Sequence, residues 1–214
     1  VNGPIGTYEY IVIDKELAQK YITAPEAATA FETEEEYNEY FENYVKENYK
    51  KVFREPAGIM KHKYIVPGSI YESLWDWDSW TTNIALREVA SSEDIGEYEK
   101  GCVLNFLDRV DEIGRAPILI TPKGANPPFT DRIDTNVHKP CLAQHALFIS
   151  EQNGDFEWLR EKFGELMRFV DFYEENCHHE SGLYFWLNDL AIGIDNASYA
   201  EDKIIKLDER VWLD

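Results

Sequence analysis

The chain of 214 residues is 44% hydrophobic and 14% aromatic, too apolar for a disordered polypeptide and long enough for one core or part of a larger one. Its 41 acids against 21 bases give a net charge of −20, which argues against nucleic acid and anionic membrane as partners, because both need a basic surface. Cys102, Cys141 and Cys177 make no even framework, so a disulfide-dependent secreted fold is not expected, and no apolar run approaches the length of a membrane span.

The first residue is Val1, not methionine, so a cytoplasmic location is read with a removed signal peptide left open. Tyr8 to Ile13 alternate enough for a short strand, and Ala24 to Ala30 read as a short helix. A clear helix follows. Thr33 and Glu36 form a capping box, and Tyr37, Tyr40, Phe41, Tyr44, Val45 and Tyr49 recur at helical spacing. That aromatic stripe reads first as core packing and second as a binding face. Acids early and Lys50, Lys51 and Arg54 late suit the helix dipole, and Pro56 and Gly58 end the pattern.

Residues 56 to 77 read as an irregular connection. A second helix is expected from about Ser79 to Val89, and a third from Ser92 or Asp94 to Ile113 with Gly114 as its stop. Residues 115 to 137, rich in proline and glycine, read as a long loop of the kind that is often functional. A fourth helix should run from about Lys139 to Gln152, stopped by Asn153-Gly154. Asp155 should cap a fifth, with Phe156, Leu159, Phe163, Leu166, Met167, Val170 and Tyr173 on its buried side. Ser181 to Trp186 read as extended, Asn188 to Ser198 as a loop, and residues 199 to 214 as ambiguous, with a further helix one reading. Cys177-His178-His179 invites a zinc reading, but no second ligand pair stands at metal spacing, so neither metal nor cofactor is expected.

The stretch Tyr71-Glu72-Ser73-Leu74-Trp75-Asp76-Trp77-Asp78-Ser79-Trp80 stands apart. It is too acidic for a plain core strand and too rich in indole for a solvated loop. Tryptophans that stack on the apolar face of a sugar ring, beside carboxylates that take its hydroxyls, would explain both features. A helix start with Asp78 or Ser79 as N-cap and the indoles packed inward explains it as well. Downstream, Asp195-Asn196 reads first as an Asx-turn shaping a loop. It also reads as a catalytic acid, with Gly193 allowing close backbone approach and Ile192 and Ile194 supplying an apolar setting that raises a carboxyl pKa.

Together and in this order, Tyr71, Trp75, Trp77, Asp78 and Ser79, then Gly193-Ile194-Asp195-Asn196, resemble the signatures of glycoside hydrolase family 63. This is the trehalase-like and glucosidase-I-like group that includes mannosylglycerate and glucosylglycerate hydrolases. The resemblance covers roughly residues 60 to 198. It implies an all-α fold, an (α/α)6 toroid, of which the roughly five or six helices read here would make about half. Residues 1–55 would be an N-terminal segment and first helix, and 56–214 the first half of the catalytic domain. A plain helical bundle is the alternative architecture.

The same resemblance implies an inverting α-glycosidase acting on an α-glucoside or α-mannoside. Asp195 would be the general acid, and Tyr71, Trp75, Trp77 and Asp78 would line the sugar pocket. Lys139-Pro140 matches a Gln-Pro pair that opens a helix in many members, but the lysine departs from that pattern; a cation there would suit an acidic or carboxylated substrate, and a plain surface lysine is the alternative reading. Gln144 and His145 read first as core or cap residues. Ala191 and Ser198 depart from positions where many members carry glutamate and proline. The general base would be a glutamate outside these residues. Of the acids at hand, Glu72, Asp76 and Glu180 carry no motif. The expected partners are a carbohydrate and the missing half of the toroid, or a second copy in its place. The competing functions are a non-catalytic sugar-binding relative and a helical interaction scaffold.

Overall fold

A computed structural model describes residues 2–3, 6–7, 33–126, 137–186 and 211–213. The chain divides between Tyr44 and Val45. In the first unit, β1 (Asn2–Gly3) and β2 (Gly6–Thr7) pair antiparallel, with Asn2 opposite Thr7. Helix α1 (Glu34–Asn48) starts at the expected cap, where the Glu36 amide donates to Thr33 Oγ1 at 3.2 Å. The strand expected at 8–13 and the helix expected at 24–30 lie outside the described residues.

The aromatic stripe of α1 is not core. Tyr37, Tyr40, Phe41 and Tyr44 are each 50–55% exposed, and no residue of the helix is buried. The rings stack along the helix instead, Tyr37 on Phe41 at 6.2 Å and Tyr40 on Tyr44 at 6.4 Å. Such i,i+4 pairs stabilise the helix itself, so a helical period alone does not establish that its face is covered.

The second unit, Val45–Asp214, holds the core and is mostly helical with small antiparallel sheets. Its helices among the described residues, beyond the end of α1, are α2 (Asp76–Leu86), α3 (Ser92–Leu107), α4 (Leu142–Asn153) and α5 (Phe163–Asn176). The first helical pattern stops at Asn48, well before Pro56, and a 3-10 turn over Tyr49–Val52 leads into β3 (Phe53–Arg54). Strand β3 pairs with β4 (Tyr64–Ile65), Phe53 facing Ile65.

Helix α3 is the centre of packing. Ser91 caps it, its Oγ accepting from the Asp94 amide, and Ile95, Cys102, Val103 and Phe106 are fully buried along it. Its polar side chains hold the segment before β4: Asn105 Oδ1 accepts from the Lys61 amide at 3.0 Å, and Asn105 Nδ2 donates to the His62 carbonyl at 3.0 Å. The helix ends at Leu107, short of the expected Ile113. Asp111 then organises a turn, accepting from the Arg115 amide at 2.8 Å and from Arg115 Nε at 2.7 Å, and the stop residue Gly114 sits at φ +95°.

The expected loop at 115–137 contains a hairpin. β6 (Leu119–Thr121) and β7 (Gly124–Asn126) pair antiparallel, and β6 also pairs with β5 (Leu74–Trp75), Leu74 facing Ile120. The run Ile118-Leu119-Ile120-Thr121 has the apolar, β-branched character of a buried strand. Residues 127–136 of that loop lie outside the described residues.

Helix α4 begins at Leu142 and ends with Gly154 in the left-handed region at φ +62°, as the Asn153-Gly154 pair predicts. Asp155 does not cap the α-helix as expected: its Oδ1 accepts from the Glu157 amide at 2.9 Å in a local turn, Phe156 is the N-cap of a 3-10 helix, Glu157–Lys162, and α5 begins only after that, with Lys162 at its N-cap. A 3-10 turn takes three residues rather than 3.6, so the apolar phase shifts across it. Leu159, Leu166 and Tyr173 are buried as expected, joined by Phe169 and Phe172, while Phe156, Phe163, Met167 and Val170 face out. At the end of the chain, β8 (Tyr184–Trp186) pairs with β9 (Val211–Leu213), so the last described residues are strand, not helix.

Strand β4 reaches α3 where α3 has no side chain. A Cβ on Gly101 would lie 1.9 Å from the Lys63 carbonyl oxygen. Gly101→Ala should therefore force the sheet off the helix and destabilise the unit by about 1–3 kcal/mol, the ordinary cost of overpacking. A denaturation midpoint equal to that of the parent protein would show that this contact gives way freely.

Candidate functional site

The tryptophan motif straddles the end of a strand and the start of a helix. Trp75 is the last residue of β5, and α2 begins at Asp76, earlier than the sequence predicts. Neither Asp78 nor Ser79 caps it. The helix start is set by the sheet beside it, through the Asp76 amide donating to the Ile118 carbonyl at 3.0 Å. The Ser79 hydroxyl is buried and donates to the Asp76 carbonyl at 2.7 Å. Two acids in the first turn, Asp76 and Asp78, face the positive end of the helix dipole.

The predicted sugar-binding residues fall on three local settings. Tyr71 is exposed on the segment before β5, whose backbone is held by Arg54 Nη2 donating to the Tyr71 carbonyl at 2.7 Å and the Ser69 carbonyl at 2.9 Å. Trp75 is half-buried on its strand. On α2, Trp77 is 41% exposed and Asp78 is half-buried. Gly193 and Asp195 lie outside the described residues.

Lys139 is brought to the motif from the far side of the hairpin, just before α4. It is only 6% exposed. Its Nζ lies 3.3 Å from Asp76 Oδ2 and 5.6 Å from the centroid of the Trp77 ring, and its backbone amide donates to the same Asp76 oxygen at 3.0 Å. One carboxylate oxygen therefore takes both the main chain and the side chain of Lys139. The commitment of this amide to Asp76, with Pro140 next to it, explains why α4 starts at Leu142 rather than at Lys139.

Asp76 is the residue that sequence reasoning undervalued. It is 1% exposed, the least accessible acid of the motif. The signal was its position: Asp76, Trp80 and Asn83 are four and three residues apart, so a helix beginning at Asp76 puts them on one face. Glu72, by contrast, is exposed and lies 3.5 Å from Arg54 Nε in an ion pair.

That face of α2 carries a buried polar cluster. Asn83 Nδ2 lies 3.0 Å from His145 Nε2 on α4, and since an amide nitrogen only donates, the ring nitrogen accepts. His138 Nδ1 lies 2.6 Å from the Lys139 carbonyl, and the Tyr173 hydroxyl donates to the His138 carbonyl. Asp76 Oδ1, Trp80 Nε1, Asn83 Oδ1, His138 Nε2 and Lys139 Nζ are buried with no hydrogen-bond partner, leaving only Arg54 Nε to share that condition among the described residues. The Lys139–Asp76 contact is thus an ion pair lying off the hydrogen-bond direction. Left without any partner, each such atom would cost about 1–3 kcal/mol, so the cluster is polar enough to take hydrogen bonds from water or a ligand.

Burial also sets the protonation states. It holds His145 down to about 3, with the nearby His138 adding to the effect, and it holds His138 below its ordinary value against the pull of Asp76. Burial pushes the Cys141 thiol up to about 12, with the Asp76 charge adding to it. Both histidines are therefore neutral hydrogen-bonding groups at neutral pH. His178 and His179 have local partners, Glu174 Oε1 at 2.8 Å and Ser181 Oγ at 2.9 Å, and Cys177 is buried. No helix among the described residues is long and apolar enough to cross a membrane.

Compared with known proteins, the chain matches no family model and no curated sequence.

The neutral histidines carry a pH signature. A histidine whose folded pKa is depressed leaves stability intact above its unfolded value near 6.5 and loses it as pH falls, because only the unfolded chain takes up the proton. His145→Gln keeps an acceptor for Asn83 but cannot titrate. Between about pH 6 and 4.5 its stability should fall less steeply than the parent's, by about 1.4 kcal/mol per pH unit. Parallel slopes in urea titrations of the two proteins would show that His145 is not buried neutral.

Proposed function

We propose that this chain is part of an inverting α-glycosidase of the family 63 type, acting on an α-glucoside or α-mannoside. The observation that carries the reading is the convergence of two separate stretches of the resemblance. Trp77, in the Trp-x-Trp-Asp motif, and Lys139, in the Lys-Pro pair sixty-two positions later, meet across the buried Asp76 carboxylate. A half-exposed indole is the kind of surface on which a pyranose ring stacks, and Asp78 on the same helix supplies an acceptor for its hydroxyls.

In this reading the helical unit is one part of an (α/α)6 toroid, and the hairpin and motif loops belong to the rim where sugar enters. Asp195 donates its proton to the departing glycosidic oxygen, so that the leaving group departs as a neutral alcohol. A glutamate outside these residues takes a proton from the attacking water on the opposite face of the ring.

Two measurements test the proposal. Trp77→Ala should weaken the binding of methyl α-glucoside or methyl α-mannoside, by about 0.5–1.5 kcal/mol or more, while helical content stays the same. Unchanged affinity in a well-folded variant would remove the sugar platform. In the complete enzyme, Asp195→Asn keeps the shape of the side chain but not its transferable proton. Turnover of substrates with poor leaving groups should fall roughly a hundred- to ten-thousandfold, activated aryl glycosides should suffer less, and the alkaline limb of the pH profile should disappear. Full activity with an unchanged profile would rule out Asp195 as the acid. Sugar binding with no turnover in any assembled form would favour a non-catalytic sugar-binding protein instead.

A further inference from the structure

Lys139 looks at first like a receptor for a substrate anion, and its surroundings argue otherwise. Its Nζ is fully covered and lies 3.3 Å from Asp76 Oδ2, inside a residue pair that is 6% and 1% exposed. The charge is already compensated. A substrate carboxylate brought to this ammonium would have to displace the cover and would then face the Asp76 carboxylate, where like-charge repulsion is strong because little water screens it. The other cation of this region, Arg54, is also committed, to the Ser69 and Tyr71 carbonyls. What the ammonium does reach is the Trp77 ring, 5.6 Å from its centroid. Nζ is covered while Trp77 is 41% exposed, so the indole stays open to a ligand although the cation does not. A cation against one side of a tryptophan ring holds it by attraction to the π face.

We propose that Lys139, held by Asp76, is a positioning residue that pins the Trp77 indole through a cation–π contact, and that the sugar stacked on that indole is uncharged. The inference rests on the glycosidase reading and names the substrate class of the same site. Asp76 is then the anchor of the arrangement. It keeps Lys139 neutralised and, through the Lys139 amide, keeps the segment before α4 against the start of α2. Neither residue touches the sugar.

A double-mutant cycle tests it. Binding of methyl α-glucoside and methyl α-mannoside, and of the corresponding uronides bearing a carboxylate at C6, is measured on the parent, Trp77→Ala, Lys139→Met and Trp77→Ala/Lys139→Met. Lys139→Met should weaken the neutral glycoside and its uronide by the same factor, about two- to thirtyfold, the range expected for losing a cation–π contact. In the Trp77→Ala background the same substitution should have no further effect, because it acts through the indole. Lys139→Met leaves Asp76 buried without a counter-charge and can unfold the protein. Asp76→Asn/Lys139→Met removes both charges, and the same loss of sugar affinity is expected from it.

Selective loss of uronide binding would identify Lys139 as an anion receptor and overturn the proposal. So would a loss that adds fully to that of Trp77→Ala, or parent-like affinity in Asp76→Asn/Lys139→Met. Each of these outcomes leaves the glycosidase reading standing. Failure of the parent protein to bind any of the glycosides removes that reading, and this inference with it.

Discussion

The contact between Asp76 and Lys139 ties together the parts of the molecule that matter for its site. Asp76 opens α2, and its backbone amide completes the edge of β6 through Ile118. Its side chain then takes both the amide and the ammonium of Lys139, 63 positions later in the chain. A buried ion pair adds little net stability, because removing two charges from water offsets their attraction. Breaking it is a different matter. One uncompensated charge left inside costs about 3–5 kcal/mol. The pair therefore acts as a specificity device, making one approach of the two segments far better than any other.

Around that contact the interior is unusually polar. Asn83 and His145 bridge α2 to α4, and the Tyr173 hydroxyl on α5 holds the His138 carbonyl. The His138 ring sits edge-on between Phe106 at 4.5 Å and Phe169 at 5.5 Å, so the polar cluster is walled by the aromatic core of α3 and α5. These walls keep His138 and His145 neutral by denying water to the charged form. A core built for stability alone would fill such a space with aliphatic side chains. Several of the polar groups here have no hydrogen-bond partner among the described residues, so burial is not matched by full hydrogen bonding.

Where helical pattern and tertiary packing disagreed, a specific physical cause is visible. The stripe on α1 has the period of a buried face yet is exposed, since aromatic pairs at i,i+4 satisfy one another along a single helix. The face of α5 was misjudged by the 3-10 segment ahead of it, which turns the chain by a different angle per residue. The strands β5 and β6 are two and three residues long, too short for alternation to be read, and they exist because they find each other across 44 residues.

The sequence by itself determined what depends on near neighbours. The Thr33 cap, the Gly154 stop, the Asp155 turn and the identity of most helices are all settled by groups within four residues of one another, whereas the Ser91 cap of α3 is placed only by the structure. The sequence also marked Trp77 and Lys139 as residues of interest. Only the tertiary structure decided their relation. Asp76 in the sequence is one acid among 41; unlike Asp78 it belongs to no motif, and its spacing to Trp80 and Asn83 marks a shared helix face without saying what covers that face. Whether a carboxylate is a solvated charge or the buried partner of a lysine depends on which distant segment arrives beside it. That arrival is governed by the hairpin at 119–126 and by the packing of α4 on α3, interactions whose sequence separation leaves no local trace.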